Sequence, residues 1–84
     1  MMAFAIEEMA MPAADFEAKA KGVLRAEMVR RNLTYQQLVD KLAEIGVKED
    51  EHNLRNKVAR GKFTAAFLLQ CLGAMGTKEI RLAD

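Results

Sequence analysis

A chain of 84 residues has room for one small domain, which buries only roughly two-thirds of the surface its unfolded form exposes. Its 51% apolar content supports a core and argues against disorder, while 13 basic against 12 acidic side chains leave a formal net charge of +1, so any field that attracts a polyanion must come from local arrangement. The single cysteine, Cys71, excludes an internal disulfide and fits a reducing compartment, and no stretch approaches the ~20 apolar residues of a membrane span.

Residues 1–14 show no clear periodicity and contain the only proline, Pro12. They read as an N-terminal arm, either frayed or dimerising. Phe4, Ile6, Met9 and Met11 are costly to leave in water and suit packing on a partner subunit. Glu7 and Glu8 interrupt the apolar run and no basic segment precedes it. This argues against a signal peptide and makes a cytoplasmic location the expectation.

Asp15, or a residue just before it, starts a first helix in which Phe16, Ala20, Val23, Leu24 and Met28 recur at helical spacing. The opposite side carries Glu17, Lys21, Arg25 and Arg31. Asn32 follows the last turn and tolerates the left-handed conformation that ends helices. Thr34 opens a second helix with Gln37 in a capping-box pattern, and Leu38, Val39, Leu42 and Ile45 form its apolar stripe. Gly46 stops that helix and Val47–Glu49 make a turn. Asp50 suits the N-cap of a third helix, which runs to about Arg60 and ends at Gly61.

Thr64 opens a fourth helix, ending by Gly76. Its run Ala65-Ala66-Phe67-Leu68-Leu69-Gln70-Cys71-Leu72 is apolar almost all round, which predicts the central, buried helix. Gly46, Gly61 and Gly76 fall at equal intervals, so the chain reads as short helices in series; the segments between share no side-chain pattern and are not a repeat. Such short helices are marginal alone and must pack on one another. In the tail, Thr77–Asp84, Ile80 and Leu82 alternate, which suits a tail crossing the core, with a short intersubunit strand as the alternative.

The third helix is the most informative element. Taking Leu54 and Val58 as its buried seam, Asn56 points directly away from the core at 100° per residue, flanked by His52, Asn53 and Arg60, with Arg55 at one edge. Asn can pair bidentately with adenine and Arg with guanine in the major groove, so these five are the candidate base contacts. Lys57 lies nearer the seam and suits a backbone phosphate, as do Lys62 just past Gly61 and Lys48 in the turn. Gln36 and Gln37 begin the second helix, where amides and free helix N–H groups can hold a phosphate. Against this, Glu49, Asp50 and Glu51 crowd the start of the third helix. A capping Asp50 and a seam-facing Glu51 would turn two of those carboxylates away from a phosphate, leaving Glu49 as the charge to account for.

From about Val23 to Gly76 the chain resembles the Cro and lambda-repressor-like helix-turn-helix superfamily. The matching pieces are Thr34-Tyr35-Gln36-Gln37-Leu38-Val39, Gly46-Val47, the seam Leu54 and Val58, and Arg60-Gly61-Lys62. The run from Asn53 to Phe63, with Phe67-Leu68-Leu69-Gln70-Cys71-Leu72, looks like a bacterial domain family of unknown function that brings no activity with it. The superfamily resemblance implies a compact all-α bundle of four to five helices, DNA binding and commonly a homodimer. It makes Gln36 a phosphate contact on the scanning helix and puts Asn53, Asn56 and Arg60 on the recognition helix. The departures are Ala43-Glu44-Ile45, which make the scanning helix about a turn longer than usual, and a slightly long Gly46–Leu54 connection.

Enzyme readings fare badly. His52 has no partners for a zinc site, Cys71 suits a small core residue, and Gly61-Lys62-Phe63-Thr64 lacks both the first glycine and the preceding strand of a phosphate-binding loop. The expectation is therefore an arm over 1–14, a helix-turn-helix domain over 15–76 and a tail over 77–84. The domain would bind double-stranded DNA in transcriptional control, with no catalytic residue, metal, cofactor, membrane or small-molecule substrate. The alternative is a protein-interaction module of the same shape that does not bind DNA. RNA binding is a third option, weakened by the lack of an aromatic stacking platform.

Overall fold

Helices start where a side-chain oxygen can satisfy backbone N–H groups that lack an intrahelical partner. The computed structural model, which describes residues 13–82, places α1 over Ala13–Arg30, α2 over Tyr35–Glu44, α3 over Glu51–Arg60 and α4 over Ala65–Ala74, with no strand among the described residues. Thr34 Oγ1 accepts from the Gln37 N–H at 3.1 Å and the Gln37 side chain accepts from the Thr34 N–H at 2.8 Å, completing the capping box of α2. Asp50 caps α3 by accepting from the Asn53 N–H at 2.8 Å, and Thr64 caps α4 by accepting from the Phe67 N–H at 3.0 Å. Asn32 has φ 56°, the left-handed turn expected after α1.

Leu24 and Met28 of α1, Leu38 and Leu42 of α2, Leu54 and Val58 of α3, and Phe67, Cys71 and Leu72 of α4 form one buried cluster with Met75. Each of the Leu, Val, Met and Phe side chains among them contributes ~1.5–3 kcal/mol by leaving water. α1 packs on α3 and α4, and α2 packs on the same two helices. Every helix thus supplies a pair or more of apolar residues to a shared centre, and none is enclosed by the others.

That arrangement corrects several expectations. α4 is not a central buried helix: packed mainly on α1 and α2, it buries the side bearing Phe67, Cys71 and Leu72, and Leu69 stays 67% exposed. Phe16 does not join the core and is 53% exposed, because α1 meets α3 through its other side. There, Lys21 Nζ donates to the Ala59 carbonyl at 3.1 Å, and Gly61 lies against the Glu17 backbone. Ile45 is 51% exposed; as the C-cap, with φ −102° and ψ 15°, it has left the helical period that the stripe assumed. The tail does not cross the core: Ile80 and Leu82 lie in irregular, exposed chain. Of the arm expected over 1–14, residues 1–12 lie outside those described, and Ala13 and Ala14 belong to α1 instead.

One buried charge went unanticipated. Glu27 of α1 is 3% exposed, and its carboxylate accepts from Arg31 Nε at 2.9 Å, from Thr77 Oγ1 at 2.8 Å and from Arg30. The Arg31 hydrogen bond, then that of Thr77, hold its pKa below the usual value against the opposing effect of burial, and the charge of Arg30 adds to them. Thr77 thereby ties the start of the C-terminal segment to α1. Among the described residues no helix is long and apolar enough to cross a membrane.

Candidate nucleic-acid interface

Leu54 and Val58 are fully buried, so the seam of α3 lies where its sequence places it. The opposite face carries His52, Asn53, Asn56 and Arg60, with Arg55 and Lys57 at its two edges, all exposed. α2 supports this helix from below: Leu38 and Leu42 share the core with Leu54 and Val58. Between the two helices, Val47 N–H donates to the Leu42 carbonyl at 2.9 Å, which fixes the turn out of α2.

The polar groups of α3 do not form one uncommitted set. Asn53 Nδ2 donates to Asp50 Oδ2 at 2.9 Å, so the cap also orients that amide. Asn56 Nδ2 lies 3.2 Å from His52 Nε2, one helical turn earlier. Arg55 pairs with Glu51 and lies over the Tyr35 ring, 5.1 Å from its centroid. Lys57 pairs with Glu49 and sits 4.9 Å over the Phe67 ring. Arg60 and Lys62 are exposed and make no side-chain hydrogen bond or ion pair among the described residues.

These contacts dispose of the three carboxylates at the start of α3. Asp50 accepts from the Asn53 backbone and side chain, Glu51 pairs with Arg55, and Glu49, its side chain largely covered, pairs with Lys57. Glu51 turns to Arg55 rather than to the seam. Glu49 meets Lys57 across the turn, a spacing that no helical interval predicts. The Arg55–Glu51 pair, by contrast, stands at i, i+4 and was readable in the sequence. A phosphate that engaged Lys57 would have to displace Glu49.

The remaining candidates flank this face. Lys48, exposed, borders a shallow cleft with Glu49, Asp50, Asn53 and Lys57. On α2, Gln36 Nε2 donates to Asp40 Oδ1 at 3.1 Å, and the Gln37 side chain is held in the capping box. Cys71 lies inside the core, where burial first and the charge of Glu49 second push its thiol up to about 12. Among the described residues no group of His, Cys, Asp and Glu is gathered as a metal site would need.

Fold and face together define a small all-α domain that presents one polar helix on a two-helix support. The chain belongs to the family described as Domain of unknown function (DUF6471), whose model matches residues 16–80 and so takes in the whole of α2, α3 and α4. No curated protein and no solved structure matches it.

Proposed function

We propose that α2, the turn and α3 act as a helix-turn-helix unit that binds double-stranded DNA sequence-specifically, as a small transcriptional regulator working as a homodimer. The observation that carries this reading is the position of Asn56, exposed and opposite the buried pair Leu54 and Val58, in the middle of an amide- and arginine-bearing face. The ion pairs of Glu49 with Lys57 and of Glu51 with Arg55 support it, since each of those carboxylates faces a cation of its own domain, while Asp50 is taken up as the cap of α3. In this reading His52, Asn53, Asn56 and Arg60 address base edges. Lys48, Lys62 and Gln36 hold the backbone, and Arg55 stiffens α3 against Tyr35. The protein then needs neither cofactor nor catalytic group.

One observation favours a second reading, in which the same shape binds a protein. Exposed Phe16, Leu69 and Leu82 give the domain apolar surface on sides that α3 does not occupy. The discriminating experiment is retention of fragmented genomic DNA on the purified protein at ~100 mM salt, with sequencing of what is held. Enrichment of fragments sharing a palindromic motif is expected. Uniform weak retention or none would defeat the DNA reading in favour of the protein-binding one.

A further inference from the structure

One side of α1 faces no helix. Phe16, Ala20 and Val23 on that side, Leu68 of α4, and Ile80 and Leu82 of the C-terminal segment line a hollow of about 230 Å³. Its lining is apolar apart from Lys19. Three separate stretches of chain converge here, yet Phe16 and Leu82 remain more than half exposed. The hollow thus offers an apolar concavity that a small number of apolar side chains could fill.

We propose that this hollow is the docking site of residues 1–12 of the same chain. That segment carries Phe4, Ile6, Met9 and Met11, apolar side chains suited to such walls. Glu7 and Glu8 lie in its middle, opposite in sign to Lys19. It joins α1 at Ala13, beside Phe16, and the far wall at Val23 is about 15 Å further along the helix axis. A stretch of 12 residues reaches up to ~40 Å extended, enough to reverse direction at the start of α1 and still cover the hollow. Docking removes apolar surface from water on both partners, and the covalent tether presents the segment at roughly millimolar effective concentration. A second copy would have to compete from bulk solution without that advantage. The assignment is independent of what α3 binds.

The test uses the full chain with photoreactive benzoylphenylalanine at position 4, irradiated in dilute solution and mapped by mass spectrometry. Cross-links on Phe16, Val23, Leu68 or Leu82 are expected in a product with the mass of one chain, their yield unchanged on roughly ten-fold dilution. Leu82→Asp, a change at an exposed position that leaves the helical circular dichroism intact, should lower that yield roughly five-fold or more by setting a charge against apolar side chains. Cross-links elsewhere, or none, would overturn the proposal. A product with the mass of two chains would also overturn it, by showing that another copy fills the hollow.

Discussion

Gly61 ends α3 directly against the backbone of Glu17: a Cβ at position 61 would stand 2.7 Å from the Glu17 carbonyl oxygen. The glycine has φ 68°, so it meets two demands at once, a left-handed helix end and a close approach to α1. Lys21 reinforces the same junction by donating to the Ala59 carbonyl at the end of α3. The orientation of α3 is therefore set from its C-terminal end by α1 and along its seam by α2.

Gly61→Ala should cost more than Gly46→Ala. Both positions have positive φ, and the left-handed backbone alone costs a residue with a Cβ about 1–2 kcal/mol. Position 46 is open, whereas at 61 α1 must also move, which adds roughly 1–3 kcal/mol. Urea unfolding of both variants measures the difference. Equal losses would mean that the α1–α3 contact yields without cost.

Glu27 should make stability fall in acid. Its folded pKa is lowered, so the stabilisation is present above the unfolded carboxylate pKa and is lost as pH drops through the folded value. Glu27→Gln is expected to cost about 1–3 kcal/mol at neutral pH, the range for hydrogen bonds to a charged group. Denaturation curves near pH 7 and near pH 3 should show the gap between wild type and variant shrinking in acid. A gap independent of pH would remove the charged hydrogen bonds from the explanation.

Asn56→Ala and Lys62→Ala separate base reading from phosphate binding. The first should cost ~1–3 kcal/mol on the preferred site and relax specificity there; the second should weaken all sequences alike and flatten the salt slope by about one unit. Fluorescence anisotropy on matched and scrambled duplexes over a salt series reads both. Identical effects of the two substitutions on every sequence would defeat the assignment of Asn56 to a groove.

Glu49→Gln releases Lys57 from its partner. If Lys57 serves a phosphate, the variant should bind DNA several-fold more tightly and its salt slope should steepen by roughly one unit. Unchanged affinity and slope would show that Lys57 faces its own domain in the complex as well. The stability cost should lie between the ~0–1 kcal/mol of a fully exposed pair and the ~1.5–3 kcal/mol of a hydrogen bond to a charged group, since Lys57 is half exposed and Glu49 largely covered.

Cys71 should be inert in the folded protein. Burial keeps the thiol protonated, with its pKa pushed up to about 12, and it has no exposed surface to present to a reagent. Ellman's reagent at pH 8 should label it only as fast as the domain unfolds, with full labelling in denaturant. Rapid native labelling would place the sulfur outside the core.

Local signals carried much of the architecture. Thr34 with Gln37, Asp50, Thr64, Asn32 and Gly61 mark helix ends through hydrogen bonds and φ preferences confined to a few residues, and those ends lie where such short-range chemistry puts them. The seam Leu54–Val58, the outward Asn56 and the i, i+4 pair of Arg55 with Glu51 follow from the helical period alone. Membership of the domain family rests on the sequence as well. Other features depend on which helices become neighbours, a property of no single segment. Only the packed structure leaves Phe16 and Leu69 in water while burying Glu27, and only the fold across the turn brings Glu49 to Lys57 and Tyr35 under Arg55. Periodicity tells how many faces a helix has. Whether another helix covers a given face is decided by the shared core, which here needed one side of each helix and left the rest to the solvent.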